Sequence, residues 1–288
     1  SRIACNMMRH FIPFLLLGVF VACMAQSPAE PPVAGPSPVL TPDTGSMVSK
    51  RFAPPEGFTR LPVEAASFGA YLRSLPLKPV GTQVHLYDGS LKYRQDVQAA
   101  VVDLSVGKRD LQQCADAVMR LRAEHLFVQG RIDDIHFNFT NGFRTDFRRW
   151  TNGQRVQVEG PQGSRWVGGG KVSATHDDLL AYLQLVFTYA GTLSLSKELK
   201  DATLSPMAPG DVFIYGASPG HAMIAIDVAR DAQGRTAFLL AQSYMPAQDI
   251  HVVQNLRRPE LGAWFIQDDG NDLSTPEWTF SWNERKRW

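Results

Sequence analysis

Three apolar runs, at residues 211–215, 222–228 and 236–241, follow one another through the short turns Ser218-Pro219-Gly220 and Asp231-Ala232-Gln233-Gly234. Links that short join antiparallel neighbours, because a parallel crossover needs about a dozen residues or more. The second half of the chain is therefore expected to form an antiparallel sheet. Upstream the period changes: Leu111, Ala115, Val118, Leu121 and Leu126 keep helical spacing behind Asp110, a good N-cap. Leu179, Leu180, Leu183, Val186 and Phe187 mark a second amphipathic helix over 177–189. Weaker signals predict a helix over 67–75 stopped by Pro76, and strands at 84–87, 99–104 and 135–140, the last closed by Asn141-Gly142. Gly168-Gly169-Gly170 reads as a loop. Helices first and sheet afterwards predict an α+β architecture, with the Asp110 helix packed on the sheet.

The N-terminal segment reads as an export signal. Met8-Arg9-His10 precedes an apolar run over 11–22, too short to span a bilayer, which needs about 20 residues, but suited to a signal-peptide core. Residues 1–25 are assigned to this signal, with an extension ahead of Met7. Two cleavage readings compete: Phe20-Val21-Ala22-Cys23 resembles a lipobox, which would lipidate Cys23, and Ala25-Gln26 resembles an ordinary signal-peptidase site. The lipoprotein reading is favoured because residues 26–48, rich in Pro28, Pro31, Pro32, Pro36, Pro38 and Pro42, read as an extended tether reaching ~60 Å. Residues 49–288 are expected to form one globular domain. The expected location is the bacterial cell envelope, at the periplasmic face of a membrane or free in the periplasm.

Export makes the cysteines informative. Of Cys5, Cys23 and Cys114, only the last lies in the expected domain, so no intramolecular disulfide is available there. At the start of a helix, unpaired N–H groups and the helix dipole are expected to lower a thiol's pKa. His221 opens the second of the three apolar runs. A two-residue hairpin at 231–234 would set His221 opposite Tyr244 and Met223 opposite Gln242, with all four side chains on one face, whereas a slip of one residue would bring Ser243 there. The implied constellation is Cys114 as nucleophile, His221 as base and Gln242 as the amide that orients the imidazole.

A cysteine at a helix start, Gly210-Asp211 before a strand, Gly220-His221 opening the next and a polar residue ending the one after resemble the core of papain-like cell-wall endopeptidases and transglutaminase-like domains. That resemblance implies a papain-like core and thiol attack on an amide in a peptide or peptidoglycan stem. Longer stretches, residues 107–124, Tyr189-Ala190-Gly191-Thr192 and residues 239–248, resemble the bacterial lipoprotein family called domain of unknown function 4846, from about Pro54 to the C-terminus. This second resemblance implies no activity.

Other readings are bland or non-catalytic. Cys114 falls near an apolar helix face and could be a packed core thiol. Gly216-Ala217-Ser218-Pro219-Gly220 has the spacing of a serine-hydrolase elbow, but a strand follows it where a helix is required. Asp133, Asp134, His136, His176, Asp177 and Asp178 lack metal-ligand spacing, and Gly170-Lys171 lacks the rest of a phosphate loop, so neither metal nor cofactor is expected. A net charge of +1 gives no footprint for nucleic acid. The alternative to an enzyme is a catalytically silent envelope domain that binds glycan or protein through Trp150, Trp166, Trp264, Trp278 and Trp282. The expected partners are thus a membrane, through the lipid, and a peptide or peptidoglycan substrate.

Overall fold

The computed structural model describes residues 46–160, 163–267, 270 and 272–288. The expected signal, Cys23 and the tether up to residue 45 lie outside them. Val48, placed at the end of the tether by its sequence, is fully buried in a short helix, Val48–Arg51.

The fold is α+β. Nine strands make the main sheet and are numbered along the chain: β1 (Phe58–Arg60), β2 (Gln98–Val101), β3 (Lys200–Asp201), β4 (Val212–Tyr215), β5 (His221–Asp231), β6 (Thr236–Gln242), β7 (His251–Val253), β8 (Trp264–Gln267) and β9 (Arg285–Arg287). Their order is β2-β7-β6-β5-β4-β9-β3, with β1 also on β5 and β8 also on β6, and every pairing is antiparallel. Two of the three predicted runs, β5 and β6, are buried throughout all or most of their length, which is why they read as continuous apolar stretches.

Three helices matter for the site: α1 (Cys114–Val128), α2 (His176–Tyr189) and α3 (Thr192–Glu198). α1 covers one face of the sheet, where Ala115, Val118 and Leu121 share a core with Ala222, Ile224, Ile226, Leu239 and Ala241. The other face buries Phe213, Met223, Phe238, Leu240 and Phe265 beneath a C-terminal hairpin, Asp272–Ser274 with Thr279–Ser281, through its Leu273 and Phe280.

Two predicted starts and one strand are corrected. The α1 helix begins at Cys114 with Gln113 as its N-cap, because Asp116 accepts the Gln113 backbone N–H at 3.0 Å. Asp110 is used elsewhere, accepting from Gln113 Nε2 and from the Ala247 N–H. α2 starts one residue early, at His176, on the cap Thr175. Residues 84–87 form only isolated bridges, since Gln95 and Asp249 side chains take the Val84 and His85 backbone N–H groups.

The hairpin register departs from expectation and then returns to it. Next to the turn the pairs are Thr236 with Arg230 and Leu239 with Asp227, one residue off the predicted set. A β-bulge at Leu239/Leu240 passes over Ile226 and gives Leu240 with Ala225 and Ala241 with Ile224, the predicted register. The bulge also turns buried Asp227 toward Arg60 and Arg73, whose Nε atoms each lie 2.6 Å from its carboxylate.

Candidate active site

His221 is delivered by a crowded turn. A Cβ on Gly220 would lie 2.5 Å from Ala217 O, Thr192 Oγ1 and Tyr215 O, and one on Gly216 would lie 2.0 Å from Ser196 Oγ. The glycines of the elbow-like motif therefore serve the close approach of α3, whose Thr192 hydroxyl donates to Ala217 O. Ser218 sits exposed at the tip, and a strand follows it.

The register restored by the bulge brings the predicted partners together. The His221 ring packs 4.9 Å from that of Tyr244, and its Nε2 lies 2.8 Å from Gln242 Oε1. Ser243 faces away, its hydroxyl 2.9 Å from both Gln112 O and Gln248 O. Trp278 and Phe280 of the C-terminal hairpin close over the imidazole at 5.3 and 5.9 Å, and half-exposed Tyr215 extends this aromatic rim beside Trp278.

Cys114 reaches the same strand end from the α1 side. The backbone N–H groups of Ala222, which follows His221, and of Ala115 favour its thiolate. Burial first, then the charges of Glu277 and Cys114, raise the Tyr244 hydroxyl. α1 packs on the Ala222 face of the sheet whereas His221 shares the Met223 face with Phe280, and among the described residues no hydrogen bond joins the Cys114 sulfur to the His221 ring.

Burial governs both ionisations and corrects the expectation of a lowered thiol pKa. Loss of solvent pushes the Cys114 thiol up to about 11, outweighing the Ala222 and Ala115 N–H groups that pull it down. Burial likewise lowers His221 to about 4, against the Gln242 hydrogen bond and the charge of Glu277. Cys114 and His221 are therefore both neutral at rest.

A polar layer behind His221 was not legible in the sequence. Gln242 Nε2 donates to Glu277 Oε2 at 2.7 Å and lies 3.2 Å from His251 Nε2. Glu277 Oε1 accepts from Lys92 Nζ at 2.7 Å, and this ammonium also stands 5.1 Å from the centre of the Tyr244 ring. His251 Nδ1 lies 3.0 Å from Asp249 O, and burial lowers this histidine to about 4. Glu277 comes from a hairpin turn and Lys92 from an irregular segment, so neither carried a periodic signal.

The remaining candidates are dispersed. Asp133 pairs with Arg148, Asp134 with Arg131, and His176 with Glu124. Asp178 caps α2 through Thr175. Trp150 stacks under Arg155, Trp166 meets Arg149, Trp264 is buried and donates to Ala53 O, and Trp282 packs on Phe213 and Phe238. Of the five tryptophans, Trp278 is the one in contact with His221.

The family model described as domain of unknown function (4846) matches residues 48–287. No curated protein and no solved structure matches the chain.

Proposed function

The chain belongs to that family, whose description names no activity, and from the arrangement of its own residues we propose a papain-like thiol hydrolase acting on amide bonds of peptides or peptidoglycan stems. The observation that carries the reading is the 2.8 Å contact of His221 Nε2 with Gln242 Oε1, next to Ala222, whose backbone N–H favours the Cys114 thiolate. Because the amide oxygen only accepts, Nε2 carries the ring proton and Nδ1 the lone pair.

In this mechanism Nδ1 takes the Cys114 thiol proton as the sulfur attacks the substrate carbonyl carbon. The C–S bond forms and the carbonyl π electrons move onto oxygen. Collapse breaks the C–N bond, the leaving amine takes the proton from Nδ1, and a thioester remains. Nδ1 then deprotonates water, which attacks the thioester. The carboxylic acid leaves and the thiolate regains the proton. The N–H groups at the α1 start are placed to stabilise the oxyanion.

We place this activity at the periplasmic face of the envelope, with Cys23 lipidated and the proline-rich segment as tether. A non-catalytic glycan-binding domain is the second reading, and it rests on the partly exposed ring of Trp278 beside Tyr215.

The test is hydrolysis of purified peptidoglycan fragments by the full chain, read as new amino groups. Gln242 orients the base without joining the reaction, so Gln242→Ala should retain measurable hydrolysis at roughly a hundredth of the wild-type rate. Equal rates for Gln242→Ala and wild type would remove Gln242 from the mechanism.

A further inference from the structure

We propose that Glu277, held by Lys92, is a positioning residue that determines which nitrogen of His221 carries the proton. Its consequence for chemistry rests on the thiol reading above, whereas its geometry stands alone.

The side-chain amide of Gln242 has two orientations related by exchange of its oxygen and its NH2 group. Two neighbours select one. The Glu277 carboxylate is an acceptor, paired with the Lys92 ammonium at 2.7 Å. On the other side, His251 spends its Nδ1–H on the Asp249 carbonyl at 3.0 Å, which leaves Nε2 as an acceptor too. These two acceptors stand 2.7 and 3.2 Å from Gln242 Nε2, one for each amide hydrogen. The reversed amide would set its oxygen against both acceptors in a site where Gln242 and His251 are almost wholly buried.

The amide oxygen is therefore presented to His221, and the imidazole must answer with Nε2–H. The lone pair is left on Nδ1, the form a general base requires. Without the carboxylate, the amide keeps only the His251 contact to hold its sense. The turn that carries Glu277 is itself pinned, with Arg94 Nη1 donating to Pro276 O at 3.0 Å and the Thr275 N–H donating to Trp278 O at 2.8 Å. The C-terminal hairpin thus supplies an orienting group to a base that lies more than fifty residues earlier in the chain, between Glu277 and His221.

The experiment is nitrogen NMR of the full chain labelled with 15N-histidine at pH 7. Wild type should show His221 with the shift of a protonated nitrogen at Nε2 and of an unprotonated one at Nδ1. In Glu277→Gln the new amide offers either a donor or an acceptor to Gln242, so the two His221 shifts should move toward each other as the tautomers mix. If Glu277→Gln fails to fold because Lys92 is left unpaired, the double variant Lys92→Met with Glu277→Gln removes both charges and gives the same readout. A wild-type proton on Nδ1 overturns the proposal, as does an unchanged His221 tautomer in either folded variant. A tautomer that shifts supports the positioning role even where His221→Ala leaves iodoacetamide labelling of Cys114 unchanged, a result that counts against the thiol reading alone.

Discussion

Cys114→Ala should abolish hydrolysis of peptidoglycan fragments, a fall of about 10⁴-fold or more, while leaving the protein folded. The thioester cannot form without sulfur, and an alanine fills most of the volume of a cysteine that is itself only partly buried. His221→Ala should cost nearly as much, because burial keeps the thiol neutral and the proposed mechanism passes its proton to His221. The double variant should be little worse than either single one, since the two residues act as a unit. Thermal unfolding of Cys114→Ala within a few degrees of wild type, combined with lost hydrolysis, is the expected pair of results. Hydrolysis that survives in Cys114→Ala would remove the thiol from the chemistry.

The second large effect is on stability in acid. His221 and His251 are 2% and 0% exposed, and burial lowers both from 6.5 to about 4. A depressed imidazole is neutral in the folded chain where the unfolded chain binds a proton, so unfolding takes up protons between these values. Stability linked to the pair is complete above pH 6.5, is lost as the pH falls, and levels off near pH 4. Each histidine contributes about 3 kcal/mol to this loss, and the two together about 6 kcal/mol. Urea midpoints measured from pH 7 to pH 4 should fall steeply over that window. Substituting His251 by Gln, which does not titrate there, should make the fall shallower. A midpoint that is flat between pH 6.5 and 4 would show that the imidazoles are solvated.

The sheet was legible because β4, β5 and β6 are apolar runs separated by short turns, and α2 because its apolar face and Thr175 cap are both local signals. The bulge was not legible: Ile226 looks like any other apolar residue of its run, and the register it corrects depends on how Asp227 is satisfied by Arg60 and Arg73 from distant segments. The predicted neighbourhood of His221, Gln242 and Tyr244 is found because the offset at the turn is undone by the bulge before the strand reaches the site. The reading of the thiol erred in its electrostatics. Helix-start N–H groups are visible in sequence, but the desolvation that outweighs them comes from tertiary packing. Glu277, Lys92 and His251 were missed for a related reason, since their value lies in converging on one amide from three separate segments.

The central claim is that Cys114 accepts an acyl group with His221 as its base. It is tested most directly by mixing the full chain with p-nitrophenyl acetate, an activated acyl donor that needs no specific recognition, and locating the acetyl group by mass spectrometry after acid quenching. The account predicts one acetyl group on Cys114 that forms in wild type and slows by about a hundredfold or more in His221→Ala. An acetyl group on other residues only, or an equal rate in His221→Ala, would contradict it.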